Sequence, residues 1–456
     1  MTNLNEVKYK YGFWAFIPLL VFLLLFLGSG IIYTLKGTDS AFNQVPILAA
    51  LLIGMIVAFA MNPKAKMDDK IQAFSNGISE SGVILMVLIF MSAGAFSSVS
   101  KAMGGVDSVV NLGIHFIPSQ FLVPGIFIIG CFISISTGTS VGTVVTMAPI
   151  AQGIAEATGI SPAIAMGAVL GGAMFGDNLS IISDTTIAAT KGVGAEMKDK
   201  FRMNFKIAIP AAIAAIIVFT FVSAGATDSV QAGAFSVIKV IPYLAVLIAA
   251  VAGMNVLTVL ICGVLMSSVI GLAYGSLTFA SMMQGIGNGM IGMASVAFLS
   301  LFIRGIIGIT EMNGGIEWLV GKLSLHIKSR RGAEYSIALL VSLLAFTLLD
   351  NTVAILTAAP IAKTVGDQYG IAPKRMASLL DIFSCVTLCL APHTGMIILL
   401  STTASVSPLS ILHVAFYQMF LGIAAIITVQ FELMKTPEEK AAIKAAKAKK
   451  RMEKEA

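Results

Sequence analysis

Long apolar segments recur along the whole chain and are separated by short polar or charged stretches. Two of them, "FWAFIPLLVFLLLFLGSGIIY" and "VLTVLICGVLMSSVIGLAY", approach the ~20 apolar residues that span a bilayer. Neither alternates in the manner of a membrane β-strand. The pattern predicts an all-α polytopic membrane protein. The first segment starts at Phe13 and lacks a small-residue cleavage site, so it is predicted to be a retained helix.

The second half of the chain repeats the first. A shift of 211 residues places "TMAPIAQGIAEATGISP" on "TAAPIAKTVGDQYGIAP", with Pro149 on Pro360. We therefore expect two copies of one unit, over residues 1–225 and 226–434, followed by a basic tail at 435–456.

The charges of the connections indicate how the two copies are oriented. In the second copy, connections 322–331 and 363–375 carry several Lys and Arg residues, whereas the equivalent stretches 112–121 and 152–164 carry none. Positively charged loops stay in the cytoplasm. The two copies are therefore predicted to be inverted with respect to the membrane, as in many secondary transporters.

The other connections extend this topology. The Lys and Arg residues of loops 62–70 and 191–206 place both loops inside, and loop 226–235, which has neither residue, falls outside. The prediction is a multi-pass protein of the cell inner membrane with both termini in the cytoplasm.

A re-entrant hairpin is expected in each copy. Both basic connections of the second copy are predicted to be cytoplasmic, and only residues 335–362 separate them. Two half-membrane helices that meet at a polar tip near 349–352 satisfy this constraint, with a mirror-image tip near 136–140. Non-helical backbone at membrane depth is tolerated where protein or water covers it. Each copy then has about five transmembrane helices and one hairpin.

The stretch "GDNLSIISDTT", at 176–186, is the most polar one inside an apolar region of the first copy. It predicts a helix that is broken near the bilayer midplane, where free carbonyls and side-chain oxygens can bind a cation. A carboxylate at this depth usually marks an ion pathway, although a buried aspartate can also cap a helix. Asp184 is the first choice for proton exchange and Asp177 the second. The candidate ligands are Asp177, Asn178, Ser180, Ser183, Asp184, Thr185 and Thr186.

The second copy supplies the facing half of the predicted site. Its broken helix is expected near 391–396, and His393 aligns with Asp184 if a gap of two residues is allowed. A neutral histidine there can relay protons, or it can be a packed hydrogen-bond donor. The further candidate ligands from the two tips and this helix are Thr139, Ser140, Asp350, Asn351, Thr352, Asp381, His393 and Thr394.

Arg304 is the only basic residue that the pattern places well inside a predicted span. It either neutralises an aspartate such as Asp350 or Asp381, or binds the carboxylate of a substrate. The sequence leaves both roles open.

These motifs resemble a known family. "GDNLSIISDTT" is similar to the hallmark stretch of the NhaC-type sodium/proton antiporters, and "STGTSVGTVVTMAPI" and "DNTVAILTAAPI" resemble the hairpin tips of the wider ion-transporter superfamily. The resemblance implies the inverted-repeat hairpin fold, a homodimer, and a site between the two tips and the two broken helices. Ile181 stands where the NhaC type usually has proline. The short chain also resembles a sub-branch of amino acid transporters.

The remaining composition narrows the function. The net charge of +6 is confined to a few loops and the tail, which predicts contact with anionic lipid and no nucleic-acid partner. No GxxxxGK[ST] or HExxH motif occurs, so neither ATP-driven transport nor an enzyme is expected. We expect an ion-coupled secondary transporter that uses Na⁺ or H⁺, needs no cofactor, and moves a small solute such as an amino acid. The alternatives are a plain Na⁺/H⁺ antiporter and an ion channel.

Overall fold

The structure is a computed structural model, and all regular structure in the residues that it describes is helical. Those residues are 11–36, 42, 44–79, 81–116, 118–180, 183–223, 233–252, 254–323 and 329–435. Most of the predicted tail and most of loop 226–235 lie outside them.

The helices follow the same order in both halves of the chain. After a 3-10 turn at Gly12–Phe16, and with a π-helical stretch at Leu24–Gly28, the first half contains α1 (Ile17–Leu23), α2 (Ser29–Leu35), α3 (Ile47–Ala60), α4 (Met67–Ile78), α5 (Ser81–Ala102), α6 (Gly105–Phe116), α7 (Ser119–Thr137), α8 (Ser140–Thr158), α9 (Pro162–Leu179), α10 (Asp184–Val193) and α11 (Met197–Ser223). The second half contains α12 (Val237–Val251), α13 (Val256–Ala273), α14 (Phe279–Gly292), α15 (Ala294–Met312), α16 (Gly315–Leu323), α17 (Arg330–Leu348), α18 (Asn351–Tyr369), α19 (Pro373–Cys389), α20 (Gly395–Ala404), α21 (Pro408–His413) and α22 (Phe416–Gln430).

The apolar helices fit a membrane protein. In the described residues, eight helical stretches are long and apolar enough to cross a bilayer, and four shorter apolar helices accompany them. Large apolar side chains such as Leu265 and Phe221 are exposed on the outside of these helices, at 60% and 76%. An exposed apolar surface of this kind is stable in lipid and not in water. The predicted all-α polytopic class is confirmed.

Both predicted hairpins are present. The first tip lies between α7 and α8, and the second between α17 and α18. Gly138 and its equivalent Leu349 both adopt the left-handed conformation, with φ of 68° and 56°. This conformation costs a non-glycine residue about 1–2 kcal/mol. Thr139 and Asp350 then cap the following helices by accepting the backbone N–H of Gly142 and Val353.

The arms of the hairpins are longer than predicted. Each of α7, α8, α17 and α18 has 19 residues. At 1.5 Å per residue, such a helix is about 28 Å long, close to the thickness of the hydrocarbon core. Each arm is therefore longer than the half-membrane helix that the sequence predicted.

Both predicted broken helices are present, and each break is shorter than the polar stretch that predicted it. The first lies between Leu179 and Asp184 and the second between Cys389 and Gly395. The two C-terminal segments begin 211 residues apart, so the repeat needs no gap here. His393 therefore aligns with residue 182, outside the described residues, and its predicted equivalence with Asp184 is wrong.

One helix of each half packs on a helix of the other half. Stretch 62–70, predicted as a loop, runs into α4, which packs on α15, while its equivalent α14 packs on α5. Glycines make both contacts possible. A Cβ on Gly77 would lie 2.2 Å from the carbonyl oxygen of Arg304, and one on Gly289 would lie 2.2 Å from that of Gly94. Close approach of helix backbones at glycine is typical of membrane bundles.

Three basic residues that the sequence places in loops are buried. The ammonium of Lys70 donates to the carbonyl of Phe59 at 2.8 Å. The guanidinium of Arg375 binds Glu334 through two nitrogens, at 2.8 and 3.0 Å. Lys200 is 0% exposed. Arg304 is therefore not the only buried basic residue among the described residues, because short polar helix starts were counted as loops. Its predicted place well inside a span stays a prediction. The predicted inversion of the two copies stays a prediction.

Candidate functional site

The break in the first broken helix creates a cluster of carbonyl groups that side chains satisfy. The last carbonyls of a helix have no partner within the helix. The carbonyl of Asn178 accepts the ammonium of Lys200 at 3.0 Å and the amide of Asn204, also at 3.0 Å. The carbonyl of Ser180 accepts the Thr186 hydroxyl at 2.8 Å. Side chains of α11 and of the stretch itself therefore satisfy carbonyl groups that the break exposes.

A buried ion pair lies next to this break. Nζ of Lys200 in α11 is 3.0 Å from Oδ2 of Asp381 in α19, and the two side chains are 1% and 0% exposed. The same Oδ2 accepts the amides of Asn204 at 2.7 Å and Asn178 at 3.2 Å. Tyr417 of α22 donates to Oδ1 of Asn178 at 2.9 Å. Three helices from both halves, α9, α11 and α19, therefore meet at one carboxylate, and α22 joins them through Asn178.

Asp177 is the second buried carboxylate of this cluster. Its Oδ1 accepts the Ser183 hydroxyl at 3.1 Å, and its Oδ2 lies 3.5 Å from the amide of Asn351 at the second hairpin tip. Ser140 of the first tip lies against the same carboxylate. Both tips and the first broken helix therefore converge on Asp177.

The charges of the cluster do not balance. Asp177, Asp381 and Lys200 are all at least 97% buried and, when ionised, carry one net negative charge. An uncompensated buried charge costs several kcal/mol. One additional monovalent cation, a proton or a metal ion, makes the cluster neutral. Among the described residues, Oδ1 of Asp381 accepts no hydrogen bond, so it is an oxygen with capacity for such an ion.

Asp184 does not lie in this cluster. It is the first residue of α10 and its side chain is exposed. The sequence ranked Asp184 above Asp177 for proton exchange, whereas the structure places Asp177 at the point where both hairpin tips meet. Ser183, Thr185 and Thr186 between and beside them are buried, and Ser183 and Thr185 share a hydrogen bond at 2.9 Å.

A second polar region lies beside the cluster, between the second hairpin tip and the second broken helix. It is a cavity of about 80 Å³ that Arg304 lines, together with residues from both tips and the break, which include Ser140, Asp350, Asn351, His393 and Thr394. Arg304 is 4% exposed. Its predicted partner Asp350 lines the same cavity, whereas Asp381 lies beside Lys200 instead.

His393 is buried between this cavity and α17. Nε2 lies 3.2 Å from the carbonyl oxygen of Phe346, and the two rings pack edge to face. At the second tip, the backbone N–H of Thr352 donates to the side-chain oxygen Oδ1 of Asn351 at 3.1 Å. Thr139 caps α8.

Three residues of the cluster were not predicted from the sequence. Lys200 and Asn204 occur four positions apart in "DKFRMNF", so they share one face of α11. Their neighbours Lys198 and Arg202 are exposed, and the whole stretch was interpreted as a cytoplasmic loop. Tyr417 carries no motif. The spacing of Lys200 and Asn204, on one helix face next to an apolar run, was the one sequence signal that could have identified them as buried.

Comparison with known proteins gives the family. The model of the Na⁺/H⁺ antiporter family matches residues 7–224 and 224–433. The chain belongs to this family. The resemblance to NhaC-type antiporters is confirmed, and the two matched stretches divide the chain close to the boundary between its two halves.

Curated relatives of this antiporter family match part of the chain. A malate-2H⁺/Na⁺-lactate antiporter of Bacillus subtilis is 34% identical over 42% of this chain and 41% of its own length. A Na⁺/H⁺ antiporter NhaC of Alkalihalophilus pseudofirmus is 29% identical over 54% of this chain and 55% of its own length. The chain thus spans about half the length of the curated relatives it matches.

Two solved transporters are similar to this antiporter-family chain over most of its length. The Alcanivorax borkumensis YdaH transporter is 14% identical, with a TM-score of 0.41, over 91% of this chain and 97% of its own. The Neisseria gonorrhoeae MtrF efflux pump is 13% identical, with a TM-score of 0.38, over 91% and 94%.

Proposed function

We propose that the chain is an ion-coupled secondary antiporter that uses a Na⁺ or H⁺ gradient to move a small solute. The observation that carries this proposal is the buried cluster of Asp177, Asp381 and Lys200, which is neutral only when it holds one more monovalent cation. Membership of the Na⁺/H⁺ antiporter family supports the same activity.

In this proposal Asp177 is the residue that exchanges the ion. Its carboxylate binds either a proton or Na⁺, because both neutralise the same charge and cannot do so together. The Ser183 hydroxyl oxygen and Oδ1 of Asp381 supply further oxygen ligands of the kind that a small hard cation needs. Lys200 pairs with Asp381 at 3.0 Å and holds its carboxylate in place.

The cluster couples ion binding to movement because it joins the two halves. Asp177 and Lys200 come from the first half, and Asp381 and Asn351 from the second. A movement of one half against the other separates Lys200 from Asp381 and leaves two buried charges unpaired. A cation bound at Asp177 changes the net charge of the cluster and so changes the free energy needed to separate the two residues. The movement is therefore permitted or prevented by whether the cluster holds its cation.

For the transported solute we propose an amino acid. The cavity beside the cluster presents the basic Arg304 and the acidic Asp350, which match a carboxylate and an ammonium group. The Bacillus subtilis relative is named for malate and lactate, which also carry carboxylates. A plain Na⁺/H⁺ antiporter is the second candidate, since two NhaC antiporters are also relatives. An ion channel is disfavoured because a broken-helix site enclosed between two hairpins is typical of transporters and not of an open pore.

The expected setting is a multi-pass protein of the cell membrane with both termini in the cytoplasm, acting as a homodimer. The apolar outer surface of the helices supports the membrane location. The basic residues of the tail support a cytoplasmic C-terminus.

Reconstitution tests the proposed function. The purified full-length protein is placed in liposomes with an internal pH-sensitive dye and challenged with Na⁺, with K⁺, and with amino acids, lactate and malate in separate runs. We expect Na⁺ to change the internal pH, and an amino acid to change the rate of that exchange. A pH change with none of the ions or solutes contradicts the proposal. A response to Na⁺ that no solute alters favours the plain Na⁺/H⁺ antiporter.

A further inference from the structure

The polar cavity that Arg304 lines adjoins a larger apolar one. The second cavity has a volume of about 230 Å³ and is lined by apolar residues of the N-terminal helix and α17, among them Phe16, Phe22, Leu23, Leu343 and Phe346. The two cavities share three lining residues, which are Ile303, Leu349 and His393. These two adjoining cavities, here called the compartment, have charged residues at one end and apolar residues at the other.

The charged end is electrically balanced. Arg304 contributes one positive charge and Asp350 one negative charge, and both belong to the same cavity wall. A zwitterion leaves this balance unchanged, with its carboxylate towards the guanidinium and its ammonium towards the carboxylate. A dicarboxylate adds two negative charges to a region that already contains a carboxylate, which is unfavourable in a buried site.

The apolar end has room for a large side chain. A site of about 10–15 Å³ on this scale holds one water molecule. On the same scale both cavities, at about 80 and 230 Å³, exceed the space for one water several-fold, and the apolar one is the larger of the two. Water in such an apolar cavity is displaced by an apolar group at a gain in free energy.

We propose that this compartment binds an amino acid with a large apolar side chain, with its charged groups at Arg304 and Asp350 and its side chain among Leu343, Phe346 and Phe22. The inference rests on the proposed function, because it names the solute class of the same transporter. Ser140 and Asn351 line the compartment and also contact Asp177 of the ion cluster. In this proposal the solute and the ion therefore contact the same two hairpin tips.

Binding to the purified full-length protein tests the inference without transport. Thermal-shift titrations compare leucine and phenylalanine with glycine, with phenethylamine, which lacks the carboxylate, with 3-phenylpropionate, which lacks the ammonium, and with malate. We expect leucine or phenylalanine to bind at least about tenfold more tightly than each of the others. Equal shifts for malate or for glycine overturn the proposal.

Two pairs of variants assign the two ends. Arg304→Met should abolish binding of phenylalanine, and Arg304→Lys, which keeps the charge without the planar fork, should weaken it about tenfold and remains informative if the first variant does not fold. Leu343→Trp fills the apolar cavity and should weaken the binding of phenylalanine about tenfold or more. Leu339→Trp places the same ring on α17 at a position that is 50% exposed, and should leave binding unchanged.

The outcomes separate this inference from the proposed function. If Na⁺ changes the internal pH of the liposomes but no amino acid binds, the compartment holds no solute of this class and the inference is wrong, while the antiporter proposal stands. If phenylalanine binds equally to wild type, Leu343→Trp and Arg304→Lys, it binds elsewhere, and the apolar cavity is a lipid-filled groove.

Discussion

Lys200 and Asp381 form an ion pair with Nζ 3.0 Å from Oδ2, and neither side chain is exposed by more than 1%. The two residues are 181 positions apart and belong to different halves of the chain. The pair is therefore a direct contact between the halves in the region where ion exchange is proposed.

Lys200→Met should destabilise the protein. The substitution leaves Asp381 buried without its cation, which costs about 3–5 kcal/mol. The midpoint of thermal unfolding in detergent should fall markedly. Lys198→Met is the matched control, since it removes an exposed lysine from the same turn of α11 and should change little.

A second substitution should partly reverse this loss. In Lys200→Met/Asp381→Asn both charges are absent, and the amide keeps hydrogen bonding with its neighbours. The double variant should be more stable than Lys200→Met alone. Equal stability of the two variants would mean that Lys200 acts through its contacts with the Asn178 carbonyl and Thr186, and not through Asp381.

Asp177→Asn should abolish Na⁺-dependent proton movement in liposomes while the protein still folds. The amide has nearly the size of the carboxylate and can bond to Ser183, but it cannot exchange a proton or neutralise Na⁺. Asp184→Asn is the comparison, because Asp184 is the exposed carboxylate of the same motif and should keep most of the activity. The reverse result would restore the ranking that the sequence alone suggested.

The predicted inversion is testable at one pair of equivalent positions. Glu156 and Asp367 are both exposed, and the repeat places one on the other. In a variant in which the exposed Cys262 is replaced by serine, Glu156→Cys should react with an impermeant thiol reagent from outside and Asp367→Cys only from inside. Labelling of both from the same side would show that the copies are parallel.

Gly289→Ala should lower the thermal midpoint. The new methyl group would lie 2.2 Å from the Gly94 carbonyl oxygen, so α14 and α5 must separate. Overpacking of this kind costs about 1–3 kcal/mol. Gly287, two residues earlier on α14, has no heavy atom within 4 Å of an added Cβ, and Gly287→Ala should be neutral or slightly stabilising.

Most of the fold followed from the sequence because membrane helices are specified locally. Apolar runs, the shift that pairs Pro149 with Pro360, and the polar tips each depend on nearby residues only. The lengths of the hairpin arms did not follow, because an apolar helix that ends at a tip looks the same in sequence whether it stops halfway or is inclined.

The site followed only in part. The sequence predicted that residues of both tips would lie near Asp177, but it did not predict Lys200. A lysine in a basic connection has the same sequence signature whether it faces water or an aspartate from the other half. Which of Asp177 and Asp184 lies in the cluster depends on where the helix breaks. The break begins after Leu179, which keeps Asp177 in the helix and its side chain inside the cluster.

The repeat aligns Asp177 with Leu388 and Asp381 with Leu170, so the residue equivalent to each acid of the cluster is a leucine in the other copy. A pair of identical half-length subunits has no such freedom, since every substitution then appears twice, and acids at both positions would give four carboxylates. Covalent fusion of two copies removes that constraint. Divergence after duplication can place one acid in each copy, which is how an approximately symmetric scaffold can carry a single, asymmetric ion site.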